Sequence, residues 1–252
     1  MTTAAHKASP DRRQRRKKVD PEIRRRADEL HESGLPYQMA MAIAYGNLDL
    51  NDALERLARR DQVTRLMEKH DLSRALATQI AIGHAELDQV LARRRLDAHR
   101  TENRDRSILV AEAALELALT DRRRLRGVVR AVDAYSFTLD VDGVETEIHK
   151  LEVKYGYEPT LWKKVRKAVR SDKALSKDPK APATRPQDRY SCSDRRMYGY
   201  LDSSREVAVT LLEGETLRGR VLWFSRYEFG LEVKGGVEVT IFRHALANLT
   251  EA

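Results

Sequence analysis

"TLRGRVLWFSRYEFGLEV", residues 216–233, alternates apolar and polar side chains and carries a glycine, Gly219, inside the run. Period-two alternation marks half-buried antiparallel strands, and a glycine within one marks a sharp bend or bulge. Tyr227 falls where the first strand should hand over to a turn. Nearly the same phrase occurs earlier as "RLRGVVRAVDAYSFTLDV", residues 124–141. A shift of 92 residues carries Gly127 onto Gly219 and Tyr135 onto Tyr227, and sets Leu115, Leu117 and Leu119 on Val207, Val209 and Leu211. One small antiparallel unit is therefore present twice. Each copy turns at Gly143 or at Gly235 and Gly236, then ends in a short strand, "ETEIHKLEV" (145–153) or "VEVTIFRHALANL" (237–249).

With 252 residues, 41% hydrophobic and 34% charged, the chain has room for two or three small domains. Its single cysteine, Cys192, excludes an internal disulfide framework and fits a reducing, cytoplasmic setting. No apolar run approaches the roughly 20 residues that span a bilayer, so no membrane partner is expected. The basic N-terminus also lacks the apolar segment of a secretory signal. Net charge is +8, and "DRRQRRKK" (11–18) concentrates Arg12, Arg13, Arg15, Arg16, Lys17 and Lys18. A second basic run, "LWKKVRKAVR", covers 161–170. Such runs either keep a chain soluble or bind polyanions by releasing counterions from phosphates.

Residues 1–19 have the composition of a disordered basic tail. From Asp20 and Pro21 to Gly34 the text reads as a capped helix. A shift of 37 residues then aligns "LPYQMAMAIAYGNLDLNDAL" (35–54) with "LSRALATQIAIGHAELDQVL" (72–91), matching Ala40 with Ala77, Ile43 with Ile80 and Gly46 with Gly83. This is the pattern of two short helical-bundle repeats sharing a long helix from about 51 to 69. Each resembles a ubiquitin-associated-type three-helix unit; a helix-turn-helix DNA reader is the alternative. "LARRRLDAHRTENRDR" (91–106) reads as a solvated helical connector. A second connector holds an amphipathic helix around Trp162, Val165 and Val169, then "SKDPKAPATRPQDR" (176–189). No helix is evident immediately before the second β unit. The expected divisions are a tail (1–19), a helical repeat domain (20–106), a β unit (107–154), a basic helix and linker (155–204) and a second β unit (205–252).

The chain has no phosphate loop, no nucleotide-binding glycine run, no G-x-S-x-G or H-E-x-x-H motif and no zinc-ligand set. Neither an enzyme nor a cofactor or metal is expected.

"VAVTLLEGETLRGRVLWFSRYEF" (207–229), followed by "TIFRHALANL" (240–249), resembles Hfq, the bacterial RNA chaperone of the Sm-like family. The earlier copy shares only the general Sm-like pattern. The expected fold class is α+β, a helical N-terminal half followed by two small Sm-like β-barrels. In this family uridine-rich RNA runs around the inner rim of a ring of subunits, with each base stacked on an aromatic beside a Lys-His pair. The resemblance puts Tyr227, Arg243 and His244 in those roles. Setting Ile148-His149-Lys150-Leu151 against Phe242-Arg243-His244-Ala245 puts Tyr135, His149 and Lys150 there in the first copy, with histidine and cation exchanged. The face that binds adenine-rich RNA in the family would carry Thr210 and Glu215 here, which disfavours that use. The resemblance thus implies a cytoplasmic post-transcriptional regulator whose partner is single-stranded, uridine-rich RNA. It also implies a homo-oligomeric ring, for which three chains of two units would suffice, with a protein partner possible for the helical half. A protein-interaction adaptor and a DNA-associated regulator are the rival readings.

Overall fold

Helices begin in the N-terminal region where the sequence supplies caps. Asp20 accepts from the Glu22 amide (2.9 Å) and opens α1 (Pro21–Glu32). α2 (Tyr37–Ala44) follows, and Asp49 caps α3 (Leu50–His70) through the Asn51 amide (2.8 Å). Ser73 caps α4 (Arg74–Ala81), and α5 spans Leu87–Glu102. The computed structural model describes residues 19–171, 176 and 182–252, and the tail cations Arg12 to Lys18 lie outside them. The chain divides into compact units of residues 1–90 and 91–252, with α5 running from one into the other. In the first unit the repeat is visible as two small cores. Ala27, Leu35, Ala40, Ile43 and Ala53 form one; Val63, Leu72 and Ala77 form the other. The helix α2 ends at Gly46 and α4 at Gly83, both in the left-handed region (φ 74° and 77°) where glycine is the least strained residue. None of the helices among the described residues is long and apolar enough to cross a membrane.

The second unit is built on strands β1 (Ala114–Leu119), β2 (Arg124–Val132), β3 (Ser136–Val141), β4 (Val144–His149) and β5 (Val153–Tyr157). After α6 (Trp162–Ala168), β6 (Arg170–Ser171) and α7 (Asp194–Ser203), the set recurs as β7 (Glu206–Leu211), β8 (Glu215–Phe224), β9 (Glu228–Val233), β10 (Val237–Phe242) and β11 (Leu246–Glu251). The helix α7, not foreseen in the sequence, is capped by Ser193 and leads directly into β7. All ladders are antiparallel, in the order β11-β7-β8-β9-β10-β5-β1-β2-β3-β4, with β6 on the start of β8. The overall class is α+β. The expected pair of separate barrels is replaced by one open eleven-stranded sheet, because β10 of the second copy pairs with β5 of the first.

The duplication extends to single atoms. β2 and β8 each shift register just past their glycine, between Val129 and Ala131 and between Val221 and Trp223. A Cβ at Gly127 would run into the Asp140 carbonyl, and one at Gly219 into the Glu232 carbonyl. Close backbone approach thus explains why both bends need glycine. The end of α5, expected as solvated connector, instead packs on this unit. Leu96 lies against its core, and the His99 ring sits 4.4 Å from Phe224 and accepts from the Phe224 amide (3.3 Å).

The seam between the copies joins Thr240 to Gly156 and Ile241 to Tyr155. Side chains cross it in both directions. Phe242 is buried in the core of the first copy, while Ala118, Tyr155 and Tyr157 are buried in the core of the second. His244 donates from Nε2 to the Val153 carbonyl (2.9 Å), and burial pushes its pKa down to about 4. Lys154, 1% exposed, is bonded to Glu215 and lies 3.9 Å from Glu213. Among the described residues neither carboxylate oxygen of Glu213 has a hydrogen-bond partner, and burial pushes this acid up to about 7.

Two opposite pH dependences follow from linkage. Glu213 titrates above its unfolded value of 4.5, so the stability it leaves is whole below that pH and is lost as pH rises through about 7. Glu213→Gln should therefore gain on the parent by about 2–3 kcal/mol between pH 5 and pH 8 in denaturant titrations; a constant difference would refute the buried-acid assignment. His244 titrates below its unfolded value of 6.5, so its stability is present above that pH and is lost as pH falls through about 4. His244→Gln should flatten that acid limb, and an unaltered limb would place the titration elsewhere.

Candidate nucleic-acid interface

Both tyrosines singled out in the sequence stand on the same hydrogen-bonded turn. In the second copy the Ser225 amide donates to the Glu228 carbonyl (2.8 Å) and the Arg243 amide to the Tyr227 carbonyl (2.8 Å). In the first, the Asp133 amide donates to Ser136 (2.9 Å) and the Lys150 amide to Tyr135 (2.8 Å). These bonds fix the turn backbone and leave the rings outside: Tyr227 is 61% exposed and Tyr135 76%. Neither ring belongs to the core of its copy.

The backbone pairing also corrects the register of the second motif. Three residues, Lys234 to Gly236, join β9 to β10, whereas two, Asp142 and Gly143, join β3 to β4. Beyond that turn the shift between copies is 93, which sets His149 on Phe242, Lys150 on Arg243 and Leu151 on His244. The two cations are therefore equivalent, and the first copy has no counterpart of His244.

Arg243 and His244 are engaged within the protein. Arg243 donates to the Asp194 carboxylate (2.8 Å), to the Ser225 carbonyl (3.0 Å) and to the Cys192 carbonyl. It thereby ties the tyrosine turn to the start of α7. Burial pushes the Asp194 carboxyl up, but hydrogen bonds and charge from Arg243 and Arg100 outweigh it and hold the acid below its usual range. His244 is buried against Val153, as above. In the first copy Lys150 donates to the Asp133 and Ala134 carbonyls, and the exposed His149 accepts from the Leu151 amide (3.1 Å).

Around Tyr227 lies a cleft of about 800 Å³ between the end of α5, residues 186–194 and the β8–β9 turn. Arg189 is held in its wall by the Ala183 and Thr184 carbonyls (2.7 and 2.8 Å). Arg226 lies over the Tyr227 ring, 5.2 Å from its centroid. Among the described residues, Arg104 and Arg226 have no carboxylate partner. The sequence reading passed over both. Arg226 could have been found from its place beside Tyr227; Arg104, distant in the chain, had no signal. The cleft thus offers one exposed aromatic face and two unpaired guanidinium groups, which suits a base with its flanking phosphates.

No protein-family model and no curated protein matches the chain. Among solved structures, a crystal structure of Hfq, described as a pleiotropic translational regulator, is similar to 23% of this chain over 93% of its own length, at 24% identity and a TM-score of 0.22.

Proposed function

We propose that this chain binds single-stranded RNA, uridine-rich in preference to adenine-rich, and acts without catalysis as a post-transcriptional regulator built on two Sm-like units. The observation that carries the reading is the pair of exposed tyrosines on one kind of hydrogen-bonded turn, repeated in both copies. Tyr227 and Tyr135 stack bases. Arg226 and Arg104 take the phosphates beside Tyr227, with Arg243 and His244 shaping the cleft wall; His149 and Lys150 flank Tyr135. Stacking tolerates sequence and suits unpaired strands, whereas a duplex hides its base faces. The helical unit supports a second role, docking a protein partner. Its α3–α4 cleft of about 520 Å³ sets Arg56, Arg59, Arg60 and Arg74 around Val63 and Met67.

Tyr227→Ala should weaken uridine-rich binding by roughly 1–3 kcal/mol in a fluorescence-anisotropy titration. Arg104→Ala and Arg226→Ala should each lower the salt slope of binding by about 0.7. Parent-like affinity in a folded Tyr227→Ala would leave the adaptor reading in its place. Deleting residues 1–19 should weaken all RNAs alike and flatten the salt dependence, because tail cations meet phosphates and not bases; an unchanged slope would exclude the tail from the contact.

A further inference from the structure

The two copies treat their last strand differently. β5 and β11 are equivalent, and Gly156 corresponds to Leu249: the first pairs with Leu117 of its own copy, the second with Val209. On its outer side Gly156 pairs with Thr240 and makes the seam. Among the described residues Leu249 has no strand on its outer side, and its backbone groups are taken up within the chain. Its amide donates to Asn248 Oδ1 (2.9 Å). Its carbonyl accepts from Arg196 Nη2 (2.7 Å) and from the Tyr190 hydroxyl (3.1 Å). Arg196 is held in place in turn, through Nε to the Tyr200 hydroxyl (2.9 Å) and through Nη1 to Tyr190 (3.2 Å). Beyond it, Arg205 pairs with Glu251 (2.6 Å) at the end of β11.

We infer that α7 and Asn248 form an edge stop, which arrests strand-to-strand addition at two copies and shuts out a second copy of this chain. An open strand edge is a template for pairing, and proteins cover or occupy the ones they do not use. Here the stop falls on Leu249 and Asn248, whose equivalents Gly156 and Tyr155 make the seam. Two local differences create it. Asn248 replaces Tyr155, and its short amide reaches back to the next backbone N–H as a tyrosine ring does not. The helix α7, standing ahead of the second copy, delivers the Arg196 guanidinium to the carbonyl. The other end of the sheet is β4, which among the described residues pairs only with β3. There Glu147 is the equivalent of Thr240, so a second chain would join by setting its Glu147 against Leu249. The ring expected from the sequence needs that contact, and the stop occupies it. This inference goes beyond RNA binding and stands without it.

Light scattering on the nuclease-treated full-length protein tests it. The parent should have the mass of one chain at tens of micromolar, and Arg196→Ala combined with Asn248→Ala should show at least a twofold higher, concentration-dependent mass. Tyr190→Phe, which removes one hydroxyl, should give a smaller shift in the same direction. Adding Glu147→Pro to the double variant should restore one chain, because proline removes the outward N–H of the opposing edge. A parent that already associates, or a folded double variant that stays at one chain, overturns the stop. Association that survives Glu147→Pro would also overturn it, as non-specific.

Discussion

The backbone pairing of β10 with β5 is the constraint on which residues 91–252 depend. Each copy is a five-stranded sheet with two open edges, too small to make a generous core alone. The seam removes one edge from each and lets the cores trade side chains, Phe242 one way and Tyr155 and Tyr157 the other. Fully burying an aromatic of this size is worth roughly 1.5–3 kcal/mol, so separation of the copies would expose part of both cores at once. The charged groups on the seam contribute otherwise. Lys154 is deeply desolvated and its partner Glu215 partly so, and such pairs add little net stability against an apolar replacement, while a mispaired one is costly. Its effect is to penalise a slipped register.

The seam also accounts for the unlike fates of the two motif sites. His244 follows directly on Arg243 in the turn between β10 and β11, and the incoming β5 captures its ring through the Val153 carbonyl. Arg243 is captured from the other side by Asp194 at the head of α7. The second copy thereby gains a walled cleft and gives up two exposed polar groups. In the first copy Lys150 holds the turn by its own ammonium. Duplicated sequence has produced one open platform and one recessed one.

The strands, the bend glycines and the tyrosine turns were legible because comparing one copy with the other separates a pattern from chance. The shared α3 and the helix-ending glycines were legible for the same reason. The register after the hairpin was not, since one added residue between β9 and β10 is invisible until the ladders are seen. The helix α7 hid in a basic, proline-containing connector, marked only by Ser193 ahead of Asp194. The bonds of Arg243, of His244 and of Arg196 to the Leu249 carbonyl join residues 18 to 91 positions apart, and hydrogen bonds at such range leave no periodicity.

Tethering explains why the same kind of edge can be joined inside the chain and stopped at its end. The seam is short, with two residue pairs in register. An isolated pairing of that length is weak, but residues 158–205 link the copies and make it intramolecular, with an effective concentration on the order of millimolar for short tethers. Exchange of side chains between the cores then fixes it. A second chain approaching β11 has neither advantage, being limited by its free concentration and meeting a strand whose Leu249 amide and carbonyl are already bonded. Each displaced hydrogen bond is worth about 0.5–1.5 kcal/mol net, which is enough to decide a contact that starts near balance. A few polar side chains on the last strand therefore weigh more in assembly than their share of the fold would suggest.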